Sequence, residues 1–130
     1  MAGLGGELVS GLRILADRLF GDSGGTIRVN VTGASPSIAA QDSRFYICDT
    51  TITALTISSI PDEGLFNILF KAGTTAPQIT GPACISYRED DEVQASKWNE
   101  ISYHCFKIGS KQFCQGMMGA VDGPAPEGGT

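Results

Sequence analysis

The stretch WNEISYHCFKIGSKQFCQGMM, residues 98–118, decides the fold class. Its two halves bracket Gly109-Ser110, and a two-residue loop that leads with glycine suits a type II′ turn, whose first central residue needs a positive φ. Two strands, 98–108 and 111–118, therefore form a hairpin. Because strand side chains alternate, His104 faces away from its neighbours Tyr103 and Cys105. Upstream, residues 26–32 set Ile27, Val29 and Val31 against Arg28 and Asn30, a strand with one buried face, and Gly33-Ala34-Ser35-Pro36-Ser37 ends it. Strands at 44–48 and 51–58 follow. Pro61-Asp62-Glu63-Gly64 reads as a turn that starts a strand at 65–70, rich in Leu, Phe and Ile on both faces and so central in its sheet. Residues 73–82 read as a loop with two prolines, 84–87 as a short strand and 89–92 as an acidic turn. Seven or eight strands at this spacing predict a mainly β fold, an antiparallel β-sandwich or jelly-roll-like domain, with one N-terminal α-helix.

That helix is expected at residues 7–20, where Leu8, Leu12, Leu15 and Leu19 recur at steps of four, three and four, the seam of a heptad. About two heptads are too short to be stable alone in water, so the stripe must bury against this domain or another chain. Gly21-Asp22-Ser23-Gly24-Gly25 stops the helix and acts as a joint. The expected organisation is an assembly or docking helix with its joint at 1–25, a β-domain at 26–120 and a loosely held tail at 121–130.

The chain has 130 residues, room for one domain, with 42% hydrophobic and 18% charged residues. No apolar run approaches the roughly 20 residues of a membrane span, and nothing at the start reads as a secretory signal. Nine basic against fourteen acidic residues give a net charge of −5, which argues against a nucleic-acid partner.

Few residues suggest chemistry. Cys48, Cys84, Cys105 and Cys114 read chiefly as buried small hydrophobes. A metal site from Cys84, His104, Cys105 and Cys114 lacks the close ligand pairs of structural zinc, and Cys105 with Cys114 would pair only if they face each other across the hairpin. His104 reads as structural or exposed. Residues 89–92 lack the spacing of a calcium loop, and Asp49, Asp62 and Glu63 have nothing to set them against each other as acid and base. Gly3, Gly5 and Gly6 follow no strand, as a phosphate loop would, and Asn30-Val31-Thr32 is a sequon that matters only in a secretory pathway. No enzyme, metal or cofactor is therefore expected. Among the aromatics Phe45, Tyr46, Tyr87, Trp98 and Tyr103, the last three are candidates for stacking on a sugar ring, although half-buried strand positions account for them as well.

Leu55-Thr56-Ile57-Ser58-Ser59-Ile60-Pro61, the run from Phe66-Asn67-Ile68-Leu69-Phe70 through Ala72-Gly73-Thr74-Thr75 to Thr80, Ile85-Ser86-Tyr87-Arg88, Trp98-Asn99-Glu100-Ile101-Ser102 and Phe106-Lys107-Ile108-Gly109 together resemble a module of bacteriophage virion structural proteins. The module is common in tail and fibre proteins of phages of gut bacteria, and the resemblance covers about half of the chain. It implies a β-rich, usually trimeric, non-enzymatic virion component assembled in the bacterial cytoplasm. The function so implied is a tail-fibre, head-fibre or decoration protein. It would oligomerise with itself, as a trimer for instance, or dock on other virion proteins through Leu8, Leu12, Leu15 and Leu19. The loops at 73–82 and 89–97 would be its display surface. The alternative is a carbohydrate-binding adhesin module in which Trp98, Tyr87 and Tyr103 stack on host surface polysaccharide.

Overall fold

Residues 26–121 are described by the computed structural model. The helix expected at 7–20, with Leu8, Leu12, Leu15 and Leu19, lies outside them, as does the tail beyond Val121. The described part is mainly β, with nine strands in chain order: β1 (Ile27–Val31), β2 (Ser37–Ala39), β3 (Arg44–Cys48), β4 (Ala54–Ser59), β5 (Gly64–Lys71), β6 (Gln78–Thr80), β7 (Ile85–Tyr87), β8 (Trp98–Ile108) and β9 (Lys111–Val121). They form a six-stranded sheet, ordered β1-β3-β5-β8-β9-β7, and a three-stranded sheet, ordered β2-β4-β6.

The first seven strands alternate between the two sheets, so the chain winds as a coil. β1, β3 and β5 stack in parallel on one side, and β2, β4 and β6 stack in parallel on the other. Parallel strands need a long crossover connection; here each crossover contains a strand of the opposite sheet. The β8–β9 hairpin then inserts where a fourth turn of the coil would sit. β8 runs antiparallel to β5, β9 antiparallel to β8, and β7 closes the sheet in parallel with β9.

An antiparallel sandwich is therefore not the arrangement formed: five of the seven strand pairings are parallel. The two strands missing from the sequence reading, β2 and β6, explain the difference. Each has three residues, too few for alternation to register; β2 starts at the last residue of the turn read at 33–37, and β6 lies inside the loop read at 73–82. The hairpin forms as expected. Gly109 has φ +64° while Ser110 is not among the positive-φ residues, the signs of a type II′ turn. β5 is central, between β3 and β8.

One apolar core lies between the sheets. Ile38, Leu55 and Ile57 of the small sheet meet Tyr46, Cys48, Phe66, Ile68 and Phe70 of the coil, and Ile101, Tyr103, Cys105 and Cys114 of the hairpin. At the entry to β5, Gly64 has φ +137°, and a Cβ there would overlap the Asp42 carboxylate. That carboxylate accepts a hydrogen bond from the Leu65 amide at 3.0 Å, which ties the turn before β3 to the start of β5. Gly33 also has a positive φ, +105°, but open space where a Cβ would go. Gly64→Ala is thus expected to combine backbone strain of about 1–3 kcal/mol with loss of the Asp42 contact, whereas Gly33→Ala carries strain alone. Urea unfolding checks this: equal drops in midpoint for the two variants would show that the Asp42 contact contributes nothing.

Candidate functional site

Three aromatic residues lie in one row across the large sheet. Strand register sets Phe66 opposite Tyr103, Tyr103 opposite Gly116, and Gly116 opposite Tyr87. Phe66 and Tyr103 stack with ring centroids 4.7 Å apart. Tyr87 meets Tyr103 edge to face at 6.0 Å, and their hydroxyls are 2.9 Å apart. Gly116 makes this possible, because a Cβ there would lie 2.6 Å from the Tyr87 ring and 3.2 Å from that of Tyr103. Burial raises the pKa of both phenols, so both stay protonated and hydrogen-bonded at neutral pH.

Of the three stacking candidates, the structure brings Tyr87 and Tyr103 together. Tyr103 is only 1% exposed, with its ring against Phe66, and presents no face to a sugar. Trp98 stands apart, half-buried at the far end of β8. Beside the row, Tyr87, Arg88, Ser102, His104, Gln115 and Met117 line an open depression of about 430 Å³. His104 is exposed and packs on Phe106 at 5.1 Å, while Cys105 is buried on the opposite face, as strand alternation requires.

The acidic turn is a clamp. Arg88 Nε and Nη2 donate to the two Asp91 oxygens at 3.0 and 2.9 Å, and Asp91 Oδ2 also accepts from the Met118 amide of β9 at 2.9 Å. The Arg88 hydrogen bonds, then that of the Met118 amide, hold the Asp91 carboxyl below the usual carboxylate range. Farther along, Asn99 Oδ1 accepts from the Gln94 amide at 2.9 Å, while its Nδ2 donates to the Gln94 and Lys97 carbonyls at 3.1 and 2.9 Å. The loop at 89–97, expected to be a display surface, is therefore pinned to β8 and β9. The other expected display loop, 73–82, contains β6.

Cys105 and Cys114 are direct partners in the β8–β9 register, with their sulfurs 3.1 Å apart as free thiols. The hydrogen bond between them lowers the pKa of Cys105 and, with burial next, raises that of Cys114. Burial, with Asp49 next, pushes the Cys48 thiol up to about 12. Among the described residues no three His, Cys, Asp or Glu side chains converge as a metal site would require.

The sequence reading missed a polar cluster on the face of the large sheet turned away from the core. Asn67 Nδ2 donates to Glu100 Oε2 at 3.2 Å and to Ser102 Oγ at 2.7 Å, and Glu100 has 0% exposure. The available signal was Asn67 itself, a polar residue inside the otherwise apolar run Leu65-Phe66-Asn67-Ile68-Leu69-Phe70. No protein-family model matches the chain, and no curated protein or solved structure matches it either.

Two outcomes follow from these geometries. Because the Asp91 pKa is lowered on folding, its contribution to stability is present above the unfolded carboxylate value, about 3.9, and is lost as pH falls through the folded value. Asp91→Ala should therefore unfold at lower urea than the wild type at pH 7, with the gap closing below about pH 4. A gap that persists at pH 2.5 would place the Asp91 contribution outside its charge. In the second test, iodoacetamide at pH 8 should label half-buried Cys84 in the native protein and reach Cys48 only in denaturant, read by peptide mass mapping. Native labelling of Cys48 would contradict its burial.

Proposed function

We propose that this chain is a non-enzymatic structural component of a bacteriophage virion, a tail-fibre, head-fibre or decoration protein. It displays the β-domain and attaches through its N-terminal segment to copies of itself, as a trimer for instance, or to other virion proteins. The observation that carries the proposal is the coil: strands stacked turn upon turn in two parallel series, with a hairpin set between its third turn and the edge strand β7. Such stacking passes load from each turn to its neighbours through continuous hydrogen-bond ladders and one extended core. It suits a rigid displayed body.

The polar groups support the same reading. Asp91, held by Arg88, ties its loop to β9 by accepting from the Met118 amide, Lys107 with Asp62 at 3.3 Å ties the hairpin to the turn before β5, and Asn67 with Glu100 crosses from β5 to β8. Each joins two pieces of the scaffold. The adhesin alternative is less well supported, since Tyr103 is enclosed and Trp98 lies away from Tyr87. Immunogold electron microscopy of purified phage particles, with an antibody raised against the chain, tests the proposal. Gold at one repeated position on the particle is expected; abundant protein in infected cells with none on particles would overturn it.

A further inference from the structure

The β8–β9 hairpin outruns the sheet it belongs to. The β5 ladder ends at the pair Gly64 and Cys105, and the β7 ladder starts at Ile85 and Cys114, so residues 106–113 pair only with each other. Cys105 and Cys114 face each other at that boundary. The backbone decides which kind of pair they form. The Leu65 carbonyl accepts from the Ser43 amide and the Leu65 amide donates to the Asp42 carboxylate, so Leu65 turns its backbone toward β3. Alternation then turns Gly64 toward β8, where Cys105 is its partner. Cys105 thus directs its amide and carbonyl at β5 and meets Cys114 as a non-hydrogen-bonded pair of the hairpin. Pairs of this kind hold their Cα atoms about 4.5 Å apart, within the roughly 4.4–6.8 Å that a disulfide spans. The two sulfurs stand 3.1 Å apart as free thiols, 0% and 1% exposed. Bonding them requires an approach of only about 1 Å.

We propose that Cys105 and Cys114 form an oxidation site, at which a peroxide joins them in a cross-strand disulfide that locks the hairpin where it leaves the sheet. The hydrogen bond between the sulfurs lowers the Cys105 pKa, which makes Cys105 the attacking thiol. Its sulfur attacks one oxygen of hydrogen peroxide and the O–O bond breaks. The thiol proton leaves with the departing hydroxide as water, and Cys105 becomes a sulfenic acid. The Cys114 sulfur then attacks that of Cys105: the S–S bond forms, the S–O bond breaks, and the Cys114 proton leaves with the hydroxyl as a second water. The two thiols lose two electrons and the peroxide gains them. Burial selects the oxidant, because a solute close to the size of water enters where a bulkier disulfide does not. Cys84, half-buried and next to the β7 residue that pairs with Cys114, is the competing thiol.

This goes beyond the proposed function and does not rest on it. The test treats the reduced full chain with hydrogen peroxide, alkylates it in denaturant and maps its tryptic peptides. Cleavage after Lys71, Arg88, Lys97, Lys107 and Lys111 places Cys84, Cys105 and Cys114 in separate peptides, 72–88, 98–107 and 112–130. A monomeric product with 98–107 joined to 112–130 is expected. Peptide 72–88 joined to either of them, disulfide-linked dimers, or full alkylation of both Cys105 and Cys114 would overturn the proposal. Cys84→Ser keeps both hairpin thiols and should form the same bond; its failure to do so would overturn direct oxidation of the pair. The lock has its own readout. The oxidised chain should unfold at higher urea than the reduced one, with the gap closed by dithiothreitol and missing from Cys114→Ser treated in the same way. An oxidised chain no harder to unfold would remove the lock. Particle labelling is indifferent to these results, so this inference and the virion reading can fail separately.

Discussion

The pairing of β5 with β8 is the contact on which the rest of the structure depends. β5 belongs to the coil, in parallel register with β3, and β8 belongs to the hairpin, yet all eight β5 residues from Gly64 to Lys71 find antiparallel partners between Cys105 and Trp98. Without that ladder the three turns of the coil would end in an open edge on β5, and the hairpin would have no sheet to join. A strand paired on both edges in the middle of a sheet is expected to be largely buried. Its burial pattern, five consecutive buried residues from Phe66 to Phe70, meets that requirement.

How far the sequence shows this depends on segment length. The hairpin could be read because eleven-residue strands leave long patterns and Gly109 marks the turn. β3 and β5 could be read from dense apolar runs, and β1 from strict alternation. β2 and β6 could not, since three residues between Pro36 and Ala40, or between Pro77 and Gly81, carry too little pattern to separate a strand from a bend. Missing them changes the inferred topology more than their size suggests. Without a strand in the crossover, successive strands look like neighbours in an antiparallel sheet; with one, every second strand becomes the neighbour.

The site shows the same division. Alternation alone separates His104 from Cys105, and the structure places them on opposite faces. The row Phe66, Tyr103, Tyr87 could not be foreseen, because it depends on three strand registers at once and on Gly116 leaving space for a ring arriving from β7. For the acidic turn, the sequence indicates charge but not partners. Asp91 is set apart from Glu89, Asp90 and Glu92 by the Met118 amide, which only the fold brings within 2.9 Å.

Glu100 connects these points. A carboxylate is costly to bury, and the hydrogen bond from Asn67 Nδ2 meets part of that cost by placing a donor at one oxygen. Replacing Glu100 and Asn67 by apolar residues of similar size would remove that constraint and leave β5 and β8 to pair on this face by apolar packing alone. Polar groups held in this way favour uniqueness over strength. Asn67 and Glu100 therefore mark how β5 and β8 lie against each other on this face, because their register is what brings the amide within 3.2 Å of the carboxylate.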